Sequence, residues 1–486
     1  MKNNYKNIII ALSTGILLFS CKALKKTEQD QNIALPSTFD QLEALESDTL
    51  FNISLLNWEN FFEDENLISL INIALDNNQD NLKTLERIKI ARANYRIAKV
   101  GFLPEVNGIA GASSRKFGEY TMDGVGNADS NLSPTVPEDK LIPDPYRDFV
   151  IGAQFNWELD VWGKFKNKKK AAVARLMASQ DMANHVKTWL ITEVASAYFT
   201  LLGLDEELKI LEEYIRLQEL AFNLTKELKE AGKENQLALD QFEALMLYSK
   251  GQLIERQREL RSAELYLSSL LGVYDFDHLR DGLADIDMGS KLIQIGMPSQ
   301  LLVNRPDIRS SELELIAAKA DLNAARAAFF PSFNLFGMAG FNAFDFGKLF
   351  FNPASTAYQL GSGLMAPIFN RNAIRMSFEA ANSEQKIALL AYEQTVFKSY
   401  LEILDLVNSI DQYAKQTELK VEEVTAQKRS VDNSNVMFSV GYANYLEVTN
   451  AQRRALEAEI ELVELKVKQL QTKAKLYRAL GGGWNQ

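Results

Sequence analysis

The chain alternates between a hydrophobic period of two, typical of strands, and a period near 3.6, typical of helices. From 149 to 160 every odd position is apolar and most even positions are polar or small. Such alternation over about eleven residues is typical of a tilted membrane β-strand with one lipid face and one wet face. The pattern recurs at 333–343 and 358–368, and a weaker copy lies at 106–112. The sequence therefore predicts four strands in two hairpins.

The predicted hairpins have exposed loops at about 113–147 and 345–355, and the longer loop is rich in Gly, Asn, Asp and Pro, as hairpin ends are. Four strands cannot close a barrel, and an open edge in lipid leaves unpaired backbone groups at high cost. Closure must therefore come from other chains, in a ring of several protomers. A soluble antiparallel sheet is the alternative interpretation.

Most of the remaining sequence has the helical period and predicts two very long helices, at 164–231 and 375–440. The first would be about 100 Å long at a rise of 1.5 Å per residue. Each is followed by a shorter return helix, ending near Leu271 and Leu480, with apolar residues in alternating steps of four and three, which is coiled-coil spacing.

Two further helices are expected to cover the lengths that the return helices leave unpaired. One lies at 306–329 and should pack beside the first long helix, and the other lies at 66–102 and should pack beside the second. Pro104 and Pro331 follow them, and proline cannot continue a helix.

The chain is internally duplicated. Residues 101–107 are echoed at 328–334, and Leu271-Gly272 is matched about 209 residues later by Leu480-Gly481. Such a repeat predicts two copies of one structural unit. The predicted organisation is a signal peptide, an extended N-terminal segment and two structural repeats, at 1–20, 21–60, 61–300 and 301–486.

The N-terminus predicts export and lipidation. Lys2 and Lys6 precede an apolar run that is too short to span a bilayer, which is typical of a signal peptide. Leu18-Phe19-Ser20-Cys21 contains the only cysteine and resembles the bacterial lipobox, which implies acyl chains such as palmitate on Cys21. Several chains give stable anchoring. Lys22 resembles the sorting residue of lipoproteins destined for the outer membrane. The alternative to lipidation is an unmodified Cys21 near an ordinary cleavage site.

Charge and composition disfavour several functions. The formal net charge of −11 disfavours nucleic acid as a partner, because proteins that bind phosphate backbones carry a basic stripe. His185 and His278 have no ligand spacing around them, so no metal site is expected. No motif for a nucleophile or a phosphate loop occurs, so we expect neither enzymatic activity nor a cofactor beyond the lipid on Cys21.

Two other features belong to the ends of the predicted strands. A basic run at 164–170 marks the junction between barrel and helices, or a solvated helix face. Tyr146, Trp157 and Trp162 suit an aromatic girdle at the membrane interface, and core aromatics are the alternative.

Four motifs together resemble the lipoprotein branch of the TolC-like outer-membrane factors. They are Asn304-Arg305-Pro306-Asp307-Ile308-Arg309, the stretch from Asn323 to Pro331, Asp160-Val161-Trp162-Gly163-Lys164, and Ala479 to Trp484. The resemblance runs from about residue 50 to the end. It implies a mixed α and transmembrane β fold, in which a homotrimer closes one twelve-stranded barrel in the outer-membrane lipid, continuous with a helical tunnel in the periplasm.

The same resemblance implies a function and partners. The trimer would be the passive export duct of a tripartite efflux pump, joined by a periplasmic adaptor protein to an inner-membrane transporter of the resistance-nodulation-division type. The alternatives are a duct for type I protein secretion, and a periplasmic coiled-coil lipoprotein that tethers without a pore.

In this family the helical tips close the periplasmic end. Gly232 and Gly441 permit sharp reversals here. Alignment on Gly441 puts Phe438 at the family's aromatic position, without the hydroxyl, and Glu447 and Asn450 at two acidic positions, of which only Glu447 keeps its charge. We therefore predict that three copies of Glu447 line the narrowest zone and favour cations, with like-charge crowding raising their pKa. A solvated glutamate at a helix end is the alternative.

The motif with Arg305, Pro306, Asp307 and Arg309 has two interpretations. It is either a binding element or the ordinary chemistry of a helix start, in which proline takes the first turn and an acidic residue lies beside it.

Overall fold

A computed structural model describes residues 57–275, 280, 282–283, 301–369 and 372–484. Cys21, the signal peptide and His278 lie outside the described residues. In chain order the helices and strands are α1 (Trp58–Phe62), α2 (Glu65–Asn77), α3 (Gln79–Val100), β1 (Glu105–Arg115), α4 (Met122–Asn131), β2 (Tyr146–Leu159), α5 (Lys164–Glu230), α6 (Gln236–Leu271), α7 (Leu301–Asn304), α8 (Pro306–Ala327), β3 (Ser332–Ala343), β4 (Thr356–Met365), α9 (Ala373–Ser439) and α10 (Tyr445–Ala479).

The four strands form one antiparallel sheet in the order β1-β2-β3-β4, as the hydrophobic alternation predicts. Phe155 of β2 lies opposite Val106 of β1 and Gly337 of β3, and Gly337 lies opposite Leu360 of β4. Opposed residues point to the same side of a sheet, so this row belongs to an apolar face. The other face carries polar side chains such as Gln154 and Asn156.

The two copies differ mainly in one loop. Helices α3 and α8 are each 22 residues long and begin 227 positions apart, whereas α5 and α9 are each 67 residues long and begin 209 positions apart. The difference of 18 positions equals the difference between the loop at 116–145, which has 30 residues, and the loop at 344–355, which has 12. The long helices therefore kept one length while one hairpin loop changed.

Three of the predicted element boundaries are wrong. The loop predicted at 113–147 contains α4, whose first turn is capped by the Thr121 hydroxyl. The segment expected to be extended up to residue 60 is already helical from Trp58. The single helix predicted over 66–102 is broken at Asn78, because its side chain caps α3 through the N–H groups of Asp80 and Asn81 and donates to the Leu270 carbonyl at 2.9 Å.

The helices follow the order of the strands to which they are joined. α5 packs against α6 and α8, and α9 packs against α10, as predicted. α3 packs on α5, whereas the prediction placed it beside α9. The physical reason is chain continuity: α3 leads into β1, β1 pairs with β2, and β2 leads into α5. Side by side, the helices therefore lie in the order α3, α5, α8 and α9.

The largest apolar core lies halfway along α5, where the short helices α1 and α2 pack with the end of α6 and the end of α10. Trp58, Leu67, Leu190, Leu271 and Tyr477 are buried there. Among the described residues, no helix is both long and apolar enough to cross a membrane.

Candidate functional site

Each long helix reverses through five residues, at 231–235 and at 440–444. Gly232 and Gly441 have φ of +73° and +81°, and a Cβ atom on either would meet no atom within 4 Å. Beyond the glycines, the N–H of Lys233 donates to the Leu228 carbonyl at 2.9 Å and that of Tyr442 to the Met437 carbonyl at 2.8 Å. These bonds satisfy carbonyls that a helix end leaves free, so the glycines are needed for their backbone conformation alone.

Both return helices begin with an asparagine cap, but the two caps differ. Asn235 accepts a hydrogen bond from the N–H of Ala238. Asn444 accepts from the N–H groups of Leu446 and Glu447, and the Glu447 carboxylate accepts from the N–H of Asn444 at 2.9 Å. This reciprocal pair is a capping box. Glu447 thus holds the start of α10, while its counterpart in the first copy, Ala238, has no side chain to do so.

The predicted gate residues lie in two different environments. Glu447 and Asn450 are exposed and one turn apart on α10. Phe438 is buried against Phe242, with ring centroids 6.0 Å apart, and against Val448. The structure thus brings Glu447 and Asn450 to one surface and puts Phe438 in the small core that joins the two helical hairpins near their tips.

Arg305 is at the centre of a buried polar cluster near the start of α8. Its Nε and Nη2 lie 3.0 and 2.7 Å from the two Asp307 oxygens, and its Nη1 lies 2.8 Å from Glu402 Oε2 and 3.0 Å from the Ala479 carbonyl. Arg478 Nη2 lies 2.7 Å from Glu402 Oε1. The Arg305 guanidinium therefore ties the start of α8 to the middle of α9 and to the end of α10.

The carboxyls of this cluster are held ionised. Burial raises the pKa of Asp307 and of Glu402, but the charge and hydrogen bonds of Arg305 outweigh burial, so both values are lowered overall. His185 of α5 lies nearby, and burial lowers its pKa.

The rest of the motif packs the chain's C-terminal end. Pro306 is the first residue of α8 and Asp307 lies in its first turn. The Arg309 guanidinium lies 5.3 Å above the Trp484 ring and 3.5 Å from Asp181, and Trp484 Nε1 donates to the Asn304 carbonyl at 2.9 Å. Sequence reasoning missed Glu402 and Arg478, because nothing local in α9 or α10 marks them and only the fold brings them to this cluster.

Aromatic side chains lie at both ends of the sheet. Trp157 Nε1 donates to the Phe102 carbonyl at 2.6 Å, and Trp162 Nε1 donates to the Pro331 carbonyl at 2.8 Å. The first bond reaches the turn after α3, two residues before Pro104. The second reaches Pro331 itself, after the end of α8. Tyr146, at the opposite end, makes edge contacts with Phe117 and Phe344. Among the residues that the structure describes, no group of His, Cys, Asp or Glu side chains could hold a metal ion.

Comparisons with known proteins agree with one another. The family described as "Outer membrane efflux protein" matches residues 70–273 and 297–482. The pyoverdine export outer membrane protein OpmQ of Pseudomonas aeruginosa is 30% identical over 99% of this chain and 97% of its own. The probable outer membrane lipoprotein SilC of Salmonella typhimurium is 25% identical over 99% of each chain. A solved structure of CusC, from work on folding and transmembrane channel formation, has a TM-score of 0.79 and 26% identity over 95% of this chain and 100% of its own.

Proposed function

The chain belongs to the outer membrane efflux protein family, and from that premise we propose that it is the outer-membrane channel of a tripartite efflux pump. It would conduct small molecules passively to the exterior, receiving them from an inner-membrane transporter through a periplasmic adaptor. The names of its relatives support transport rather than catalysis, since they describe pyoverdine export and cation efflux.

One observation carries the proposal, namely a sheet with an apolar face and two open edges. Within the described residues, β1 pairs only with β2 and β4 pairs only with β3. The helices repeat this arrangement, because α3 and α9 lie at the two ends of the helical layer. In lipid every strand edge must be paired. Three copies joined β4 to β1 would close a twelve-stranded barrel and, in the same step, a ring of helices.

The tip and the N-terminus complete the proposal. Three copies of Glu447, exposed at the start of α10, would ring the periplasmic end and favour cations there. Cys21 would carry the lipid, as the description of SilC as an outer membrane lipoprotein supports.

The test is to image the detergent-extracted, full-length protein by single-particle electron microscopy and to measure its mass in parallel. The expected result is a hollow threefold tube of three 54.8 kDa chains, less the signal peptide. Its helical section should be about 100 Å long, because each long helix has 67 residues. A monomer or a solid rod would overturn the proposal.

A further inference from the structure

Basic side chains are concentrated where the helical section meets the sheet. No acidic residue occurs at 87–104 or at 161–180, although the whole chain has a net charge of −11. Six of these cations define what we call the basic collar: Arg92, Arg96 and Lys99 of α3, and Lys166, Lys169 and Lys170 of α5.

The collar side chains have no ion-pair partner among the residues that the structure describes. Two neighbouring cations do have one: Lys164 lies 2.9 Å from Glu158, and Arg175 lies 2.5 Å from Asp321. All collar residues except Lys169 are exposed, and Lys169 is half-buried. The collar is therefore a patch of uncompensated positive charge in a chain that is acidic overall.

The contacts of α5 show which way the collar faces. Ala171 and Ala174 pack against α8, and the Phe165 ring lies against the end of α3 at Gly101. Two sides of the helix remain free, and Lys164 occupies one of them, because it pairs with Glu158 on the polar face of β2. With 3.6 residues per turn, Lys166 and Lys170 fall on the other free side, which continues the apolar face of the sheet.

The same reasoning applies to α3. Arg87 lines a groove together with Lys168 and Arg175, and these two lie on the Lys164 side of α5. Arg92, Arg96 and Lys99 are turned away from Arg87 by a third to a half of a helical turn. The collar therefore faces outward on both helices, toward the surroundings of the duct rather than its lumen.

The collar also lies at a particular level. Lys99 precedes β1 by six positions, and Lys166 to Lys170 occupy the first two turns of α5. Trp157 and Trp162 lie just above, with their N–H groups bonded to the helix ends. The headgroup zone of one leaflet is about 6 Å thick, and long basic side chains extend their charge toward such a boundary. Lys99 and the collar residues of α5 are thus within reach of lipid phosphates, and Arg92 lies about 10 Å farther along α3.

We propose that the basic collar binds the anionic phosphate headgroups of lipids in the leaflet that faces the helical section. The inference rests on the proposed function for its membrane placement. Lipids would neutralise the collar and fix the depth at which the barrel sits, because a basic segment near an anionic surface is attracted to it.

The test uses the full-length protein in nanodiscs of phosphatidylcholine and phosphatidylglycerol, with the lipids that remain after a mild detergent wash measured by mass spectrometry. The wild type should retain phosphatidylglycerol above its bulk fraction, and less of it at high salt. The variant Arg92→Gln/Arg96→Gln/Lys99→Gln should lose this enrichment, by up to about fivefold for each cation removed. The matched control Lys398→Gln/Lys415→Gln/Lys428→Gln changes the charge equally, far along α9, and should behave as the wild type.

The inference is overturned if the collar variant retains phosphatidylglycerol as the control does, or if inorganic phosphate at millimolar concentration abolishes the enrichment. Binding to purified cell-wall sacculi that disappears in the variant, with lipid retention unchanged, would also overturn it and assign the collar to the cell wall. The pair Lys166→Gln/Lys170→Gln serves if the triple variant does not assemble. Conductance is recorded after the same protein preparations are transferred to planar bilayers: pores without lipid enrichment refute the collar alone, and failure of the wild type to form pores refutes the proposed function as well.

Discussion

Arg305 and Glu402 form a buried ion pair between α8 and α9, with Nη1 of the arginine 2.8 Å from Oε2 of the glutamate. Arg305 is only 7% exposed, and Asp307 and the Ala479 carbonyl occupy its other donors. The partners of this guanidinium belong to three helices, α8, α9 and α10, and lie far apart in sequence. Arg305 therefore ties three helices of the second repeat together.

We predict that Arg305→Gln destabilises the protein by about 3 kcal/mol or more. Breaking a buried pair from one side leaves a buried charge uncompensated, and here Asp307 loses its bidentate partner. The measurement is the midpoint of thermal unfolding in detergent. Lys415→Gln is the control, since it breaks an exposed pair with Asp411 and should cost under about 1 kcal/mol. Equal midpoints for the two variants would refute a stabilising role for Arg305.

Glu447 has two separable roles, and two substitutions distinguish them. Glu447→Gln keeps a side chain that can complete the capping box but removes the charge, whereas Glu447→Ala removes both and should cost the helix start about 1 kcal/mol. If three Glu447 carboxylates line the constriction, Glu447→Gln should lower cation selectivity with little change in stability.

The measurement for Glu447 is the reversal potential in planar bilayers under a KCl gradient. Glu230→Gln, an exposed acidic residue at the end of α5 in the other tip, is the control for a general loss of charge. A reversal potential that Glu447→Gln leaves unchanged would show that Glu447 acts as a helix cap and not as a selectivity ring.

Substitution of the glycine at the second tip should destabilise the protein because of the backbone conformation at that position. Gly441 has φ of +81° with open space around it, so Gly441→Ala should cost about 1 to 2 kcal/mol through the left-handed conformation alone, and Gly441→Asn less. Gly251 is the control: it lies inside α6 and also has open space, so Gly251→Ala should stabilise by up to about 1 kcal/mol. Chemical denaturation of the two variants measures both signs. A Gly441→Ala variant as stable as the wild type would show that the tip does not require this turn.

The sequence patterns predicted those features of the fold that depend on residues close together in the chain. The strands follow from the alternation around Phe155 and Phe333, and the long helices from the apolar seams, because each depends on neighbours in sequence. The break at Asn78 escaped prediction because its amide is held by the Leu270 carbonyl, 192 positions away. The pairing of α3 with α5, and of Glu402 with Arg305, escaped for the same reason, since both depend on which strands are adjacent in the sheet.

Glu207 should make stability fall with rising pH. It is buried between α5 and α6, with its Oε2 2.8 Å from Arg256 Nε. Its pKa is raised from 4.5 to about 7, because burial, together with the charges of Glu464 and Glu259, outweighs the charge of Arg256. The folded state therefore binds the proton more tightly than the unfolded chain does. The resulting stability is complete below about pH 4.5 and is lost as pH rises through about 7, by at most about 1.4 kcal/mol per pH unit.

Glu207→Gln isolates this contribution, because glutamine has the neutral form's shape at every pH while Arg256 keeps Glu259, 2.5 Å away, as a partner. The unfolding midpoint of the wild type, measured from pH 5 to 8, should fall relative to that of Glu207→Gln, and the two curves should run parallel above about pH 8. Glu206→Gln, at the adjacent position and paired with Lys209, should follow the wild type. If Glu207→Gln and the wild type differ by a constant amount at every pH, Glu207 is ionised throughout that range and its pair with Arg256 outweighs the cost of burial.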